Sequence, residues 1–363
     1  MPRTGRPASL PPQIDSLTPA ASLPGGEVEL HGSHLGPHGV TLPSVEVDGL
    51  AAHLLMSRST RLRFRVPDRI SDRASDGIIQ VRTPEGSSGA GASNTTQLRP
   101  QLQIARLLSD GLHPVTSPVV SRSGMTFATI SGPRGKQTPV SIVRISPDRV
   151  GTPFVSGILN PTGLAFDPQG DLYVTSRAEG AVYRIDAGGE ATIYAEGMGV
   201  ATGAVFDPEG NLYVGDRSGT IFKIAPGHTA EAPQIFVYAT LEPSVAAYHL
   251  ALGSDGTLYV TAPSLSANDC IWAIDRDGST SAWFRGLGRP QGLALDADEN
   301  LYVAASHQGR RGLIRITQDG RADLVLSGHE IVGVAFSPLG TAALATNDSI
   351  FDVDLGVEGL RLF

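Results

Sequence analysis

Four tyrosines, Tyr173, Tyr213, Tyr259 and Tyr302, occupy one recurring phrase, and that phrase constrains how most of this chain can fold. It reads Gly-Leu-Ala-Phe-Asp-Pro-Gln-Gly-Asp-Leu-Tyr-Val at 163–174 and Gly-Ala-Val-Phe-Asp-Pro-Glu-Gly-Asn-Leu-Tyr-Val at 203–214. Looser copies span 250–260 and 292–303, and the tyrosines lie 40, 46 and 43 residues apart by subtraction. Two degenerate copies flank these, 119–128 with Phe127 in the tyrosine slot and 333–344 with Ala343 there. A period of roughly 40–50 residues rich in short strands signals radial or solenoidal repetition. Each copy holds four strand-like runs, such as 164–166, 172–174, 181–186 and 191–195. Six four-stranded sheets of this kind close most readily as a β-propeller. The Asp-Pro-x-Gly segments join the first two strands as tight turns, where Gly supplies positive φ.

The first part of the chain follows another pattern. Residues 1–11 are Pro-rich and polar and read as a flexible lead. From 12 to 98, strand-like stretches alternate with turns: Val28 to Leu30, Ser44 to Val47, Leu62 to Val66 and Ile78 to Val81. Apolar and polar residues alternate in three of them, the mark of half-buried strands. Strands at this spacing over about 85 residues suggest a small β-sandwich. The fold class is therefore all-β, an immunoglobulin-like sandwich followed by a six-bladed propeller over 99–363. Segment 102–108 resembles the blade-ending runs but precedes the first blade. It is expected to close the last blade from outside, in competition with 359–363, and so remove free sheet edges.

The residues also carry family resemblances. Pro12-Gln-Ile-Asp-Ser-Leu-Thr-Pro19, Gly25-Gly26-Glu-Val-Glu-Leu-His-Gly32, Val45-Glu-Val-Asp-Gly49, Val66-Pro67 and Asn94 resemble an IPT/TIG domain. The family's closing Gly-x-Ser-Asn phrase is stretched here over 85–94. The resemblance implies an interaction or spacer module. The tyrosine phrase looks like an NHL-type blade, and the repeat region is similar to propellers of the NHL and gluconolactonase (regucalcin-like) superfamily. In regucalcin-like gluconolactonases, Pro-x-Gly positions carry Asn and Asp ligands for a divalent ion. Here Pro161-Thr162-Gly163 and Pro290-Gln291-Gly292 keep the frame and lose the ligands, which counts against a metal-dependent lactonase.

Composition narrows the classes. A net charge of −8 and a pI near 5.6 argue against a general nucleic-acid binder. No run of about 18 apolar residues is present, so no membrane span is expected. The one cysteine, Cys270, sits in a strand-like run and reads as a buried structural thiol; no intrachain disulfide can form. No secretory signal precedes residue 12, which points to the cytoplasm, with a secreted location as the alternative if a leader has been removed.

A propeller gathers two sets of residues at one mouth of its channel. The entries to the inner strands offer Thr162, Thr202, His249, Gln291 and Val332, with Tyr248 beside His249. The loops after the second strands offer Arg134, Arg177, Asp216 with Arg217, and Asn347 with Asp348. His249, Asp216 and Asp348 are candidate bases, or candidate ligands for a divalent cation such as Ca, Mg or Zn. Arg177, Arg217 and Arg134 suit an anionic group, since Arg forks match carboxylate and phosphate. Thr162, Thr202, Gln291, Asn347 and Tyr248 would complete a ligand site. The bland alternatives stand beside these: solvated loop charges, local ion pairs, and a structural histidine. His31, His34 and His38 form a Gly/Pro-rich loop read as incidental rather than metal-binding.

Two function classes survive. One is a binding or interaction protein whose rigid propeller face takes a small anionic or polyhydroxyl ligand or a protein partner, with the sandwich as spacer. The other is a gluconolactonase-like hydrolase or lyase acting on a lactone, sugar acid or related metabolite at the channel mouth, with or without a metal. Convergence of Asp216, His249, Gln291 and Asp348 in one pocket would favour the second; scattered side chains would favour the first.

Overall fold

A computed structural model describes residues 11–36, 41–68, 76–83, 86–88, 101–229, 231–266 and 268–363. All named elements among them are strands, and no helix is long and apolar enough to cross a membrane. Most of the expected N-terminal lead, His38 and most of the stretched 85–94 phrase lie outside the described residues. The chain divides into two units, one running to Arg106 and including 324–329, the other comprising 107–323 and 330–363.

The first unit carries strands in the order Gln13–Thr18, Glu27–Ser33, Arg61–Arg65, Leu50–Ser57, Ser44–Val47, Ile79–Thr83 and Gly86–Ser88. The four expected strands are present, and Gln13–Thr18 and Leu50–Ser57 join them. Alternation explains the packing: in Arg61–Arg65, Leu62 and Phe64 turn inward while the arginines stay outside. Val28, Leu30, Val45, Val47, Leu62, Phe64 and Val81 form the core. On the polar face Glu29 accepts from Arg63 at 3.0 Å and lies 3.4 Å from Arg61 and 3.2 Å from His31. Burial opposes its ionisation, but Arg63 and Arg61 hold the Glu29 carboxyl below its usual range.

The second unit is a succession of small antiparallel sheets. Sheet one contains Val119–Val120, Thr126–Thr129, Ile142–Ile145 and Gly151–Val155. Sheet two contains Pro161–Phe166, Leu172–Ser176, Ala181–Ile185 and Ala191–Ala195. Sheet three contains Ala201–Phe206, Leu212–Asp216, Thr220–Ile224 and Ile235–Thr240. Sheet four contains His249–Leu252, Leu258–Thr261, Asp269–Ile274 and Thr280–Leu287. Sheet five follows with Leu293–Leu295, Leu301–His307 and Arg310–Ile316. Sheet six holds Ile331–Phe336, Thr341–Thr346, Ile350–Asp354 and, at its edge, Arg106–Ser109. First strands of successive sheets touch, and that of sheet one also touches that of sheet six, completing a cycle.

The segment 102–108 falls on two strands. Arg106–Ser109 lies beside Ile350–Asp354, whereas Leu102–Ile104 runs with Ala21–Ser22 and Asp76–Gly77. Gly359 bridges Asp296 on the inner side of sheet five.

The repeated tyrosine explains itself in the packing. Tyr173 meets Tyr194 of its own outer strand (centroids 5.0 Å) and Phe206 of the next sheet (4.8 Å), both edge to face. Phe127, in the degenerate copy, does the same with Phe154 and Phe166. In these two repeats one ring joins the strands of a sheet and that sheet to its successor, while Tyr213 packs on Tyr238 and Tyr259 on Trp283 of their own outer strands and Tyr302 on Phe336 of the next sheet. In the turns, Asp167 Oδ1 accepts from Gln169 N and Asp171 N, and Gly170 takes φ +93°.

Candidate functional site

The pairing register fixes which residues sit level with one another around the cycle. Leu164 pairs Val174, Ala204 pairs Val214, Leu250 pairs Val260, Leu293 pairs Val303 and Val334 pairs Leu344. Counting back two residues, Thr162, Thr202, Tyr248, Gln291 and Val332 share one level. His249 therefore stands one level further along, with Gly163, Gly203, Gly292 and Gly333, and not with the threonines. The glycines are there because the inner strands nearly touch: a Cβ on Gly163 would lie 2.1 Å from the Thr202 carbonyl, and one on Gly203 2.4 Å from that of Tyr248. Counting forward three from Val174, Val214 and Leu344 puts Arg177, Arg217 and Asn347 at equivalent positions on sheets two, three and six.

A cavity of about 200 Å³ opens at this end. It is lined by Thr162, Arg177, Thr202, Arg217, Gln291 and Asn347 from the expected sets, together with Val332. His113, Pro114, Val115, Val245, Ala246 and Ala247 complete the wall. No acidic residue among the described ones lines it.

The expected acids and the histidine lie elsewhere. Asp216 is buried and works as a turn cap, its carboxylate accepting from Val200 N at 2.9 Å and from the Ser218 backbone and hydroxyl. Asp348 is exposed and accepts from Thr346 Oγ1 and Ser349 Oγ. His249 is 4% exposed, and its Nε2 has no partner. Desolvation pushes its pKa down to about 3, so the imidazole is neutral near neutral pH. Tyr248 is fully buried and its hydroxyl donates to the Glu242 carbonyl; burial, with Asp216 and Glu242 nearby, pushes it up to about 12. Cys270 is buried and free, and burial raises its thiol as well. Of Asp216, His249, Gln291 and Asp348, Gln291 alone lines the cavity.

The arginines behave differently. No ion pair among the described residues involves Arg177, Arg217 or Arg134. Arg177 Nε is buried without a partner. Burial, then the neighbouring Arg217 and Arg134 charges, lowers the Arg177 guanidinium below its usual value. Arg217 Nη2 donates to the Val245 carbonyl at 2.8 Å, and its Nε is also buried and unpartnered. Arg134 is exposed and is not among the residues that line the cavity. Two adjacent sheets therefore point uncompensated positive charge at one cavity.

No His, Cys, Asp and Glu group of three or more among the described residues is placed to hold a metal ion. The donor set at the mouth is cationic and neutral, and it does not fit the divalent cation that the gluconolactonase resemblance implies. At the first unit's histidine loop, His31 lies against Glu29 instead.

The lining residues 113–115 and 245–247 escaped the sequence reading because they belong to loops entering sheets one and four. One signal was present. The link between sheets three and four, 241–248, is longer than the links 156–160 and 196–200. The surplus lies over the mouth.

No protein-family model matches this chain, and no curated protein matches it by sequence. Solved structures do. A gluconolactonase from Xanthomonas campestris aligns with a TM-score of 0.56 at 17% identity, covering 69% of this chain and 89% of that one. A virginiamycin B lyase from Staphylococcus aureus aligns at 0.50 and 16%, covering 68% and 96%. An auxiliary nutrient-binding protein from Bacteroides ovatus aligns at 0.52 and 12%, covering 95% and 98%. At these identities the likeness is one of fold: the repeat region is a β-propeller of the kind seen in gluconolactonases and that lyase.

Proposed function

We propose that this chain is a binding protein: a six-bladed NHL-like propeller that takes a small organic anion at its mouth, with the N-terminal unit serving as an IPT/TIG-like immunoglobulin-type spacer. The observation that carries this reading is the pair Arg177 and Arg217, brought from equivalent positions on adjacent sheets into a cavity lined by no carboxylate. Guanidinium groups without acidic partners in a partly dry cleft are a standing site for an anion, because charge-assisted bonds strengthen as water is excluded. The nutrient-binding structure, which aligns over nearly the whole chain, supports a binding role.

The hydrolase or lyase reading draws support from two fold relatives. It requires a base or a metal at the mouth, and Asp216, His249 and Asp348 do not line the cavity. Fold likeness alone does not transfer chemistry, so binding is the better reading.

Isothermal titration against small carboxylates and phosphate monoesters tests it. At least one should bind saturably, and the Arg177→Ala/Arg217→Ala double variant should lose roughly tenfold or more, the value of charge-assisted bonds. No saturable anion, or an affinity unchanged in the double variant, would sink the proposal.

A further inference from the structure

Resting on the anion reading, we infer that Gln291 and Asn347 are specificity-determining residues: they read uncharged hydrogen-bonding groups, hydroxyl or amide, on the end of the ligand opposite its anionic head. Thr162 Oγ1 already donates to the Asn160 carbonyl. Thr202 Oγ1 donates to the Gly215 carbonyl and accepts from Tyr248 N. A hydroxyl has one proton to give, and the carbonyls of both threonines accept from the Thr116, Thr129 and Thr175 hydroxyls. What sheets two and three still offer a ligand is therefore the two guanidinium groups. The side chains of Gln291, Asn347 and His113 differ: none makes a hydrogen bond to another described residue. Gln291 is fixed through its backbone instead. Its N donates to the Ala304 carbonyl at 2.9 Å and its carbonyl accepts from Thr261 Oγ1 at 2.7 Å. The amide is left with two N–H donors and an oxygen acceptor unspent, as is that of Asn347.

The order of the sheets sets these groups apart. In a cycle of six, sheet five stands across from sheet two and sheet six from sheet three. Arg177 and Arg217 thus lie across the mouth from Gln291, at the entry to sheet five, and Asn347, after the second strand of sheet six. The links 113–115 and 245–247, entering sheets one and four, stand between the two pairs. The cavity so acquires a cationic pole and a neutral, hydrogen-bonding one. The repeat marks the same division. Where sheets two and three carry threonine, sheet five carries glutamine; where they carry arginine, sheet six carries asparagine. Arg217 is anchored at its pole, since Nη2 donates to the Val245 carbonyl at 2.8 Å. An anionic head drawn to the guanidinium groups directs the rest of a small ligand toward the amides. A hydroxyl or amide arriving there exchanges its water bonds for bonds to Gln291 and Asn347. A hydrocarbon end strips water from those amides and returns no partner.

The test compares ligands that share a head and a skeleton and differ at the far end. Titrate the full chain with glutaramate, 5-hydroxyhexanoate and their hydrocarbon isostere 5-methylhexanoate. On a phosphate head, set glycerol 3-phosphate against 2-methylbutyl phosphate. Each titration is repeated on Gln291→Leu/Asn347→Leu and on the double arginine variant. On at least one head, a polar-ended ligand should bind roughly fivefold tighter than its isostere, the value of about one hydrogen bond. Whether the amide or the hydroxyl leads among the carboxylates identifies the group that is read. In the double leucine variant that advantage should vanish while the isostere binds at least as well as before. Isosteres that bind as tightly as the polar-ended ligands on both heads would overturn the assignment and leave the anion site standing. So would a polar advantage that survives the leucines. Absence of saturable binding by any of the five anions would bring down both readings. Circular dichroism melting of each variant separates lost affinity from lost folding.

Discussion

The junction between sheets two and three and the entry to sheet four follow the same repeat, yet they solve the same level of the cycle in opposite ways. At the first, Gly163 lets the inner strands approach until no Cβ fits. At the second, His249 stands in the glycine position, and the preceding link has grown to eight residues over 241–248. Where the repeat is kept, the arginines project at matched positions. Where it is broken, a buried imidazole and an apolar wall enter. The repeat builds the frame, and the departure from it shapes the cavity.

Substitution of the two matched positions by one residue gives the largest contrast. Gly163→Val should destabilise the chain by about 3 kcal/mol or more in urea unfolding, because the new side chain meets the backbone of Thr202 and Gly203. His249→Val should cost less than about 1 kcal/mol, since it removes a buried nitrogen that has no partner. Equal costs would erase the distinction between the junctions.

Acidification sharpens it. The unfolded His249 takes up a proton near 6.5 and the folded one only near 3. Between those values the unfolded state binds more protons, so stability falls as pH falls through the window. From pH 6.5 to 5 the loss through this residue is about 2 kcal/mol. His249→Val should flatten that part of the profile by the same amount.

Asp216 and Asp348 give the smaller effects. Asp216→Ala should cost about 1–2 kcal/mol, because it strips a buried cap from Val200 N and from Ser218. Asp348→Ala, at an exposed turn, should stay within about 0.5 kcal/mol. A catalytic role for either would instead appear as lost turnover without lost stability.

Much of this was legible beforehand, and the reasons are local. Phe127 could be placed in the tyrosine slot because the slot is defined by spacing, and its ring packs as the tyrosines do. Arg177, Arg217, Thr162, Thr202 and Gln291 could be grouped because a repeat carries equal offsets to equal heights. His249 was set one level off because it precedes Leu250 by one residue, whereas Thr162 and Thr202 precede Leu164 and Ala204 by two. Val245 and Pro114 were invisible for another reason: they belong to links, whose paths no periodicity governs.

The sequence alone determined the repeat, the strand-rich frame and the positions that share a height, because side-chain alternation and turn chemistry act over a few residues. Only the tertiary structure decided that Asp216 and Asp348 serve their own turns, that His249 is shut away from water, and that two arginines face a partly apolar cavity without a counter-charge. Those outcomes depend on which distant segments exclude water from which charges, and no local pattern encodes that.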